Sequence, residues 1–309
     1  LYILVPLTFL FSSLVMARRN SYLNNPKKVW NSPKPIVVVG NISMGGTGKP
    51  PLVKFIASEL AKRGFKPGLV SRGYGGKYSG TLEVTSETTY KQTGDEAQIL
   101  AKLNIPFFID KNRSRAARKL QEKHDVDVVI SDDGLQHYAM GRDIEIAVID
   151  GARRLGNGLA FPAGPLREPK SRLSEVDFIV NNGGPTEGDE ILMTLSPAKF
   201  IHLNSGKEYS VDKWPMHNQV HAIAGVGNPN RFFDLLLRLG FEFDKNPFPD
   251  HHKYNKRDLY YLDHLPILMT EKDAAKCKHF KNSKIWYLSI ESKIESQFID
   301  KLEEKLNDR

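Results

Sequence analysis

The stretch Gly40-Asn41-Ile42-Ser43-Met44-Gly45-Gly46-Thr47-Gly48-Lys49 constrains this chain more than any other part of it. An apolar run, Ile36–Val39, leads into it. Leu52, Phe55, Ile56 and Leu60 follow at helical spacing and stop before Gly64. A strand that enters a glycine-rich turn and leaves as a helix presents successive backbone N–H groups to one small space, where side chains would block an anion. The helix N-terminus adds the positive end of its dipole, and Lys49 is set to reach the β- and γ-phosphates of a nucleotide. Phosphate binding by Ser43, Met44, Gly45, Gly46, Thr47, Gly48, Lys49 and Pro50 is the expected role, over a plain glycine-rich turn.

The pattern G-x-x-x-x-G-K-[ST] is broken at both ends. Ser43 stands where the first glycine belongs, and Pro50 where a serine or threonine belongs. The second departure has the larger consequence. The missing hydroxyl is the usual Mg²⁺ ligand, and proline also lacks the N–H; a charge-assisted hydrogen bond is worth roughly 1.5–3 kcal/mol. The fold tolerates proline in a first helical turn.

From Pro35 onward, β-branched runs alternate with amphipathic stretches, as in βα units on a parallel sheet. Strands are expected at 36–39, 68–71, 106–109, 126–130, 144–149 and 178–181, with helices at 97–103 and 113–123. Around Gly183–Asp189 the composition turns to Gly, Pro, Asn and Glu, marking a boundary. A second α/β set follows, with strands at 220–224, 267–269 and 285–288 and helices at 229–239 and about 295–305. The expected fold is α/β: a P-loop NTPase-like parallel-sheet domain (28–185) plus a second, smaller α/β domain (186–309). An N-terminal hydrophobic membrane-docking segment (1–27) precedes them.

Leu1–Met16 is almost wholly apolar, and Arg18, Arg19, Lys27 and Lys28 follow it. The run is shorter than the roughly 20 residues of a spanning helix. Basic residues after it, with no small-x-small cleavage site, favour a membrane anchor with the body in the cytoplasm over a cleaved signal. The chain begins without methionine, so residues upstream of Leu1 are expected. The net charge of +8 points to anionic partners. No nucleic-acid-binding pattern is present, and the single cysteine, Cys277, excludes an internal disulfide.

Val128-Val129-Ile130-Ser131-Asp132-Asp133 is an apolar strand ending in two carboxylates, at the sheet edge where α/β ligands collect. A helix cap explains one of them but not the pair, so Asp132 and Asp133 are candidate metal ligands. Asp95, in Gly94-Asp95-Glu96, reads by itself as a helix cap. Asp250-His251-His252 reads as a surface turn, a metal site or an acid–base pair; with two histidines, dedicated zinc binding is disfavoured. Arg113, Arg115 and Arg167 belong to a set of arginines at Gly- and Pro-rich loops, suited to phosphate.

Taken together, these blocks resemble the tetraacyldisaccharide 4′-kinase family. The resemblance also rests on Ser71-Arg72-Gly73-Tyr74-Gly75-Gly76, Asp110-Lys111-Asn112-Arg113, Asp133-Gly134-Leu135-Gln136-His137 and Gly156-Asn157-Gly158. Pro162-Ala163-Gly164-Pro165-Leu166-Arg167-Glu168-Pro169, Gly225-Val226-Gly227-Asn228-Pro229 and Met269-Thr270-Glu271-Lys272-Asp273-Ala274 complete it. The resemblance implies two α/β domains joined by a hinge, on the cytoplasmic face of the inner membrane. It implies transfer of phosphate from ATP–Mg²⁺ to the 4′-hydroxyl of an acylated glucosamine disaccharide 1-phosphate, a lipid A precursor, with no obligate protein partner. It implies Asp95 as general base oriented by His251, Asp132 and Asp133 at Mg²⁺, and Arg167 with Arg113 or Arg115 on phosphate. Since Asp95 and His251 fall in different domains, closure is expected to bring them together. Pro50 departs from the family's threonine. A working but slower kinase is the expected consequence; a catalytically weakened or inactive nucleotide- and lipid-binding relative, or a sequence error, are the alternatives.

Overall fold

The structure, a computed structural model, describes residues 4–309. In chain order the elements are α1 (Val5–Leu23), β1 (Ile36–Gly40), α2 (Lys49–Lys62), β2 (Pro67–Ser71), β3 (Leu82–Glu83), α3 (Tyr90–Thr93), α4 (Asp95–Leu100), β4 (Phe107–Ile109), α5 (Arg113–Lys123), β5 (Val128–Asp132), β6 (Ile144–Asp150) and β7 (Phe178–Asn182). They continue with β8 (Ile191–His202), β9 (Glu208–Ser210), β10 (Gln219–Ala224), α6 (Pro229–Arg238), β11 (Glu242–Pro247), β12 (Ile267–Thr270), α7 (Glu271–Cys277), β13 (Ile285–Ile294) and α8 (Ser296–Asn307).

The fold is mixed α/β around one large sheet of order β11-β10-β12-β13-β8-β7-β6-β1-β5-β2-β4-β3, with β9 beside β8. Pairing is parallel except for β3–β4, β8–β9 and β8–β13. All five residues of β1 are buried, because β5 and β6 flank it on both sides. Such doubly covered strands read as unbroken apolar runs, and the expected strands of the first half appear within a few residues of their places.

The parallel pair β7–β8 carries the sheet across the expected boundary at 183–189, and β8 then joins β13 by antiparallel pairing. β8 was absent from the sequence reading because most of it is half-buried and it contains Pro197, which argues against a strand. Pro197 sits at the bulge opposite Leu288 and Ile290, where the ladder is already interrupted.

On one face of the first half, Leu52, Val53, Ile56 and Leu60 of α2 pack with Phe298, Ile299, Leu302 and Leu306 of α8. The last helix therefore returns to the first half of the sheet. A fully buried leucine such as Leu302 is worth roughly 2–5 kcal/mol against alanine. On the other face, Ala116, Ala117 and Leu120 of α5 cover Val38 and Val129. In the second half, α6 packs Phe232, Phe233 and Leu236 on one face, and α7 packs Ala274 and Cys277 on the other.

α1 extends the apolar N-terminal run to Leu23; the first three residues of that run lie outside the described residues. Leu7, Phe9, Leu10 and Leu14 on it are more than half exposed. Among the described residues no helix is long and apolar enough to cross a membrane. The one buried residue of α1, Thr8, fixes it to the body. Its hydroxyl donates to Ala160 O (3.1 Å) and accepts from Ala163 N (3.1 Å), while Phe11 meets Phe161 edge to face.

Candidate active site

The turn after β1 is held from outside through its carbonyls. Asn41 Nδ2 donates to Ser43 O (2.7 Å), Asn182 Nδ2 to Thr47 O (3.0 Å), and the Arg153 guanidinium to Gly46 O. A second strap is the segment 160–167: Met44 N donates to Pro165 O (2.7 Å), Arg167 N to Ile42 O (2.6 Å), and Ser43 bridges to Leu166. With the carbonyls so engaged, no acceptor among the described residues takes the N–H of Gly45, Gly46, Thr47 or Gly48. Gly48 has φ +94°, and a Cβ there would stand 2.4 Å from Asn182 Nδ2, so glycine is required. Thr47 is buried with an unpartnered hydroxyl. Pro50 and Pro51 follow Lys49 in the first turn of α2, where backbone N–H groups have no intrahelical acceptor anyway.

Opposite the turn lie Asp132 and Asp133. Lys49 Nζ stands 3.4 Å from Asp133 Oδ1 and 3.4 Å from Asn41 Oδ1. Arg167 NH1 is 3.3 Å from the same Asp133 oxygen, and Arg113 donates to Asp133 O (3.1 Å). Asp133 itself has φ +50°, a left-handed conformation that aspartate tolerates. Burial pushes its carboxyl up, but Lys49, Arg167 and Arg113 outweigh this and hold it below the usual range. The neighbouring Asp132 behaves oppositely: burial first, then Glu96 and Asp133, push it up to about 7. Its Oδ2 accepts from Ser71 Oγ (3.3 Å), and its buried Oδ1 has no partner. A buried carboxylate oxygen with no donor, beside a second carboxylate, is the hard donor set that a Mg²⁺-like cation takes. Among the described residues no cluster of three or more His, Cys, Asp or Glu is arranged to hold a metal by itself; Mg²⁺ sites commonly use one or two carboxylates and complete their shell with phosphate and water.

The third group lies across from these. Asp95 opens α4, after Gly94, whose φ is +86° and whose Cβ would stand 2.0 Å from Tyr74 O. Asp95 Oδ1 accepts from Glu96 N (3.0 Å), and His251 Nδ1 lies 3.0 Å from its Oδ2. An ionised carboxylate only accepts, so the imidazole proton sits on Nδ1. His251 has φ +59° and faces Tyr74, ring centroids 5.7 Å apart. Backbone strain of this kind clusters at functional sites. The pair, expected to need closure, is already joined in this conformation.

The two arginines near the start of α5 separate. Arg113 is buried and directed at Asp133, whereas Arg115 is half exposed and forms a two-pronged pair with Asp110 (2.6 and 2.9 Å). Sequence reasoning assigns no separate role to Glu96, Asn182, Gln136 or Lys272, and to Arg153 only a place among the loop arginines suited to phosphate. Gln136 donates to Asn41 O (3.0 Å), tying the acidic loop to the glycine-rich turn. Lys272 lies 3.2 Å from Asp250, 3.8 Å from Glu96 and 3.9 Å from Asp95. In the sequence it stands within the block Met269–Ala274 that carries the resemblance, and just past the carboxyl end of the apolar strand Ile267–Thr270.

Fold and site thus define a mixed α/β protein that gathers a glycine-rich turn, lysine and arginine side chains and paired carboxylates at the carboxyl edge of a largely parallel sheet. The family is then set by likeness. A model of the family described as Tetraacyldisaccharide-1-P 4′-kinase matches residues 1–307, and the chain belongs to that family. The tetraacyldisaccharide 4′-kinase of Ruthia magnifica subsp. Calyptogena magnifica is 43% identical over 307 residues, covering 99% of this chain and 97% of that one. That of Legionella pneumophila strain Corby is 45% identical over 299 residues, covering 96% and 91%. A crystal structure of LpxK from Aquifex aeolicus in complex with ATP superposes with a TM-score of 0.83 at 26% identity, over 99% of this chain and 98% of that one.

Proposed function

We propose that this chain is an ATP-dependent kinase that phosphorylates the 4′-hydroxyl of tetraacyldisaccharide 1-phosphate, giving lipid IVA, at the cytoplasmic face of the inner membrane. The observation that carries the reading is the meeting of Lys49, Arg113 and Arg167 on Asp133, opposite a turn in which the N–H groups of Gly45, Gly46, Thr47 and Gly48 meet no acceptor among the described residues. Membership of a kinase family supports it, as does the ATP complex of the Aquifex aeolicus protein.

Residues 43–50 cradle the nucleotide phosphates, with Lys49 leaving Asp133 for them. Asp132 and Asp133 would hold Mg²⁺, which would supply neutralisation of phosphate charge. Asp95 accepts the proton that the sugar hydroxyl releases, and His251 holds the carboxylate in the orientation for it. Arg113 and Arg167 stabilise the charge of the transferred group; Arg115, engaged with Asp110, supports the loop instead. Pro50 supplies no hydroxyl, so water and the carboxylates complete the metal shell. The exposed apolar side chains of α1, with Arg18, Lys27 and Lys28 nearby, lie on the membrane surface, within reach of the acyl chains. The division into residues 28–185 and 186–309 describes two units that move about the turn near 183–189, with α8 riding on the first.

The deciding assay uses the purified chain, ATP, Mg²⁺ and the acylated disaccharide. ADP release that depends on the acceptor, and lipid product carrying the new phosphate, are the expected results. ADP release at the same rate without acceptor would sink the proposal. A nucleotide-binding relative without activity rests on Pro50 alone, and the relatives named as kinases do not favour it.

A further inference from the structure

Lys272 is a cation in the wrong place by local rules. It lies in the first turn of α7, between Glu271 and Asp273, where the helix dipole favours acidic residues. What it meets there comes from two separate parts of the chain: Asp250 Oδ1, at 3.2 Å, belongs to the loop after β11, while Glu96 Oε1, at 3.8 Å, and Asp95 Oδ2, at 3.9 Å, belong to the start of α4. Its side chain is largely shielded, at 18% exposure, so these charges are poorly screened by water. Around Asp95 the charged and titratable groups are thus His251 and Asp250 from the loop, Lys272 from α7, and Glu96 from its own helix. Two of these neighbours are anionic and would disfavour a second and third negative charge. Among the described residues Lys272 is the lysine within 4 Å of all three carboxylates. Nearby, Lys102 pairs with Glu271 (2.7 Å), so the α4–α7 contact already has a separate ionic clamp, and Lys272 is not needed for that purpose.

We infer that Lys272 is a positioning residue for the acceptor side of the reaction: set among Asp95, Glu96 and Asp250, it offsets their mutual repulsion and keeps Asp95 Oδ2 turned to His251, placed to take the proton of the sugar hydroxyl. The inference rests on the kinase reading and on Asp95 as its base. A local rule is broken where function requires it: a lysine in an acidic first turn brings together carboxylates from α4 and from the loop after β11.

The test uses the full chain with ATP, Mg²⁺ and the acylated disaccharide, comparing Lys272→Met with Lys272→Arg. For Lys272→Met, kcat falls about 10–100-fold with KM for ATP within about 2-fold of wild type, because the group acts on the chemical step. The acid limb of the kcat/KM profile moves to higher pH by about one unit, since losing a cation makes a carboxylate harder to ionise. Lys272→Arg restores the limb and most of kcat. Asp250→Asn removes an opposing charge and moves the limb the other way, a second reading if Lys272→Met folds poorly. An acid limb that stays at the wild-type position in both Lys272→Met and Asp250→Asn overturns the inference, as does an arginine variant no better than methionine. Failure of the underlying reading has a different mark: Asp95→Asn with wild-type turnover.

Discussion

His251 Nδ1 and Asp95 Oδ2 meet at 3.0 Å although 156 positions separate them in the chain. A pair of this kind acts as a unit. Asp95→Asn is expected to lower acceptor-dependent ADP release by about 10²–10⁴-fold, the usual range for removing a general base. His251→Gln costs less, and the double variant is no worse than Asp95→Asn alone, because the histidine works through the carboxylate. Losses that multiply in the double variant would show that the two act separately.

Pro50→Thr restores the hydroxyl missing from the first turn of α2 without taking away an intrahelical hydrogen bond. Turnover is expected to rise about 10–100-fold, with a lower Mg²⁺ concentration at half-saturation, if metal positioning limits the wild-type rate. Titration of activity against Mg²⁺ reads both quantities. No change in either would mean that the carboxylates already position the metal fully.

The Asp132 carboxyl gives the metal-free chain a pH dependence of definite sign. Its folded value, about 7, lies above the ordinary 3.8, because burial and then Glu96 and Asp133 disfavour the charge. The folded chain thus keeps a proton that the unfolded chain has released. The stability from this group is full below the unfolded value and is lost as pH rises through about 7. His137, pushed down to about 4 by burial and then by Arg113 and Arg142, acts in the opposite sense and costs stability as pH falls. Thermal melts without Mg²⁺ should therefore show Asp132→Asn gaining on wild type between about pH 4 and about pH 7. Parallel melting curves for the two proteins would contradict the burial of an unpaired carboxyl.

The three arginines should separate by assay. Arg113→Ala and Arg167→Ala remove contacts to Asp133 and are expected to lower kcat by about 10–1,000-fold, as loss of transition-state charge stabilisation does. Arg115→Ala breaks only the pair with Asp110. It should lower the melting temperature while leaving kcat within about 3-fold of wild type, the behaviour of a side chain that supports a loop. A collapse of kcat in Arg115→Ala would return that residue to the phosphate.

Thr8→Val keeps shape but removes a buried hydroxyl that both donates to Ala160 and accepts from Ala163. Leaving those backbone groups unpaired costs roughly 1–3 kcal/mol. The segment 160–167 also holds Met44 and Ile42 of the glycine-rich turn, so nucleotide affinity is expected to weaken with stability. Denaturant melts and nucleotide titration measure the two. Unchanged affinity at reduced stability would uncouple α1 from the turn.

Wherever a signal is local, the chain declares itself in one dimension. The strand, glycine-rich turn and helix at 36–62 depend on backbone reach and on what a Cβ would block, so their residues announce them. The same holds for the doubly buried strands, whose apolar runs need no partner to be read, and for the paired carboxylates at the end of β5. β8 and β11 stayed hidden because β8 is mostly half-buried and holds Pro197 within it, while β11 is largely exposed, and neither carries a pattern that separates it from loop. Only the folded sheet decided which charges meet. Asp95 reads as a helix cap until His251 and Lys272 are beside it, Arg113 and Arg115 are alike until one turns to Asp133 and the other to Asp110, and α8 looks like part of the second half until Phe298 packs on Phe55. Long-range electrostatics and packing depend on distances in space, and a sequence fixes those only by folding.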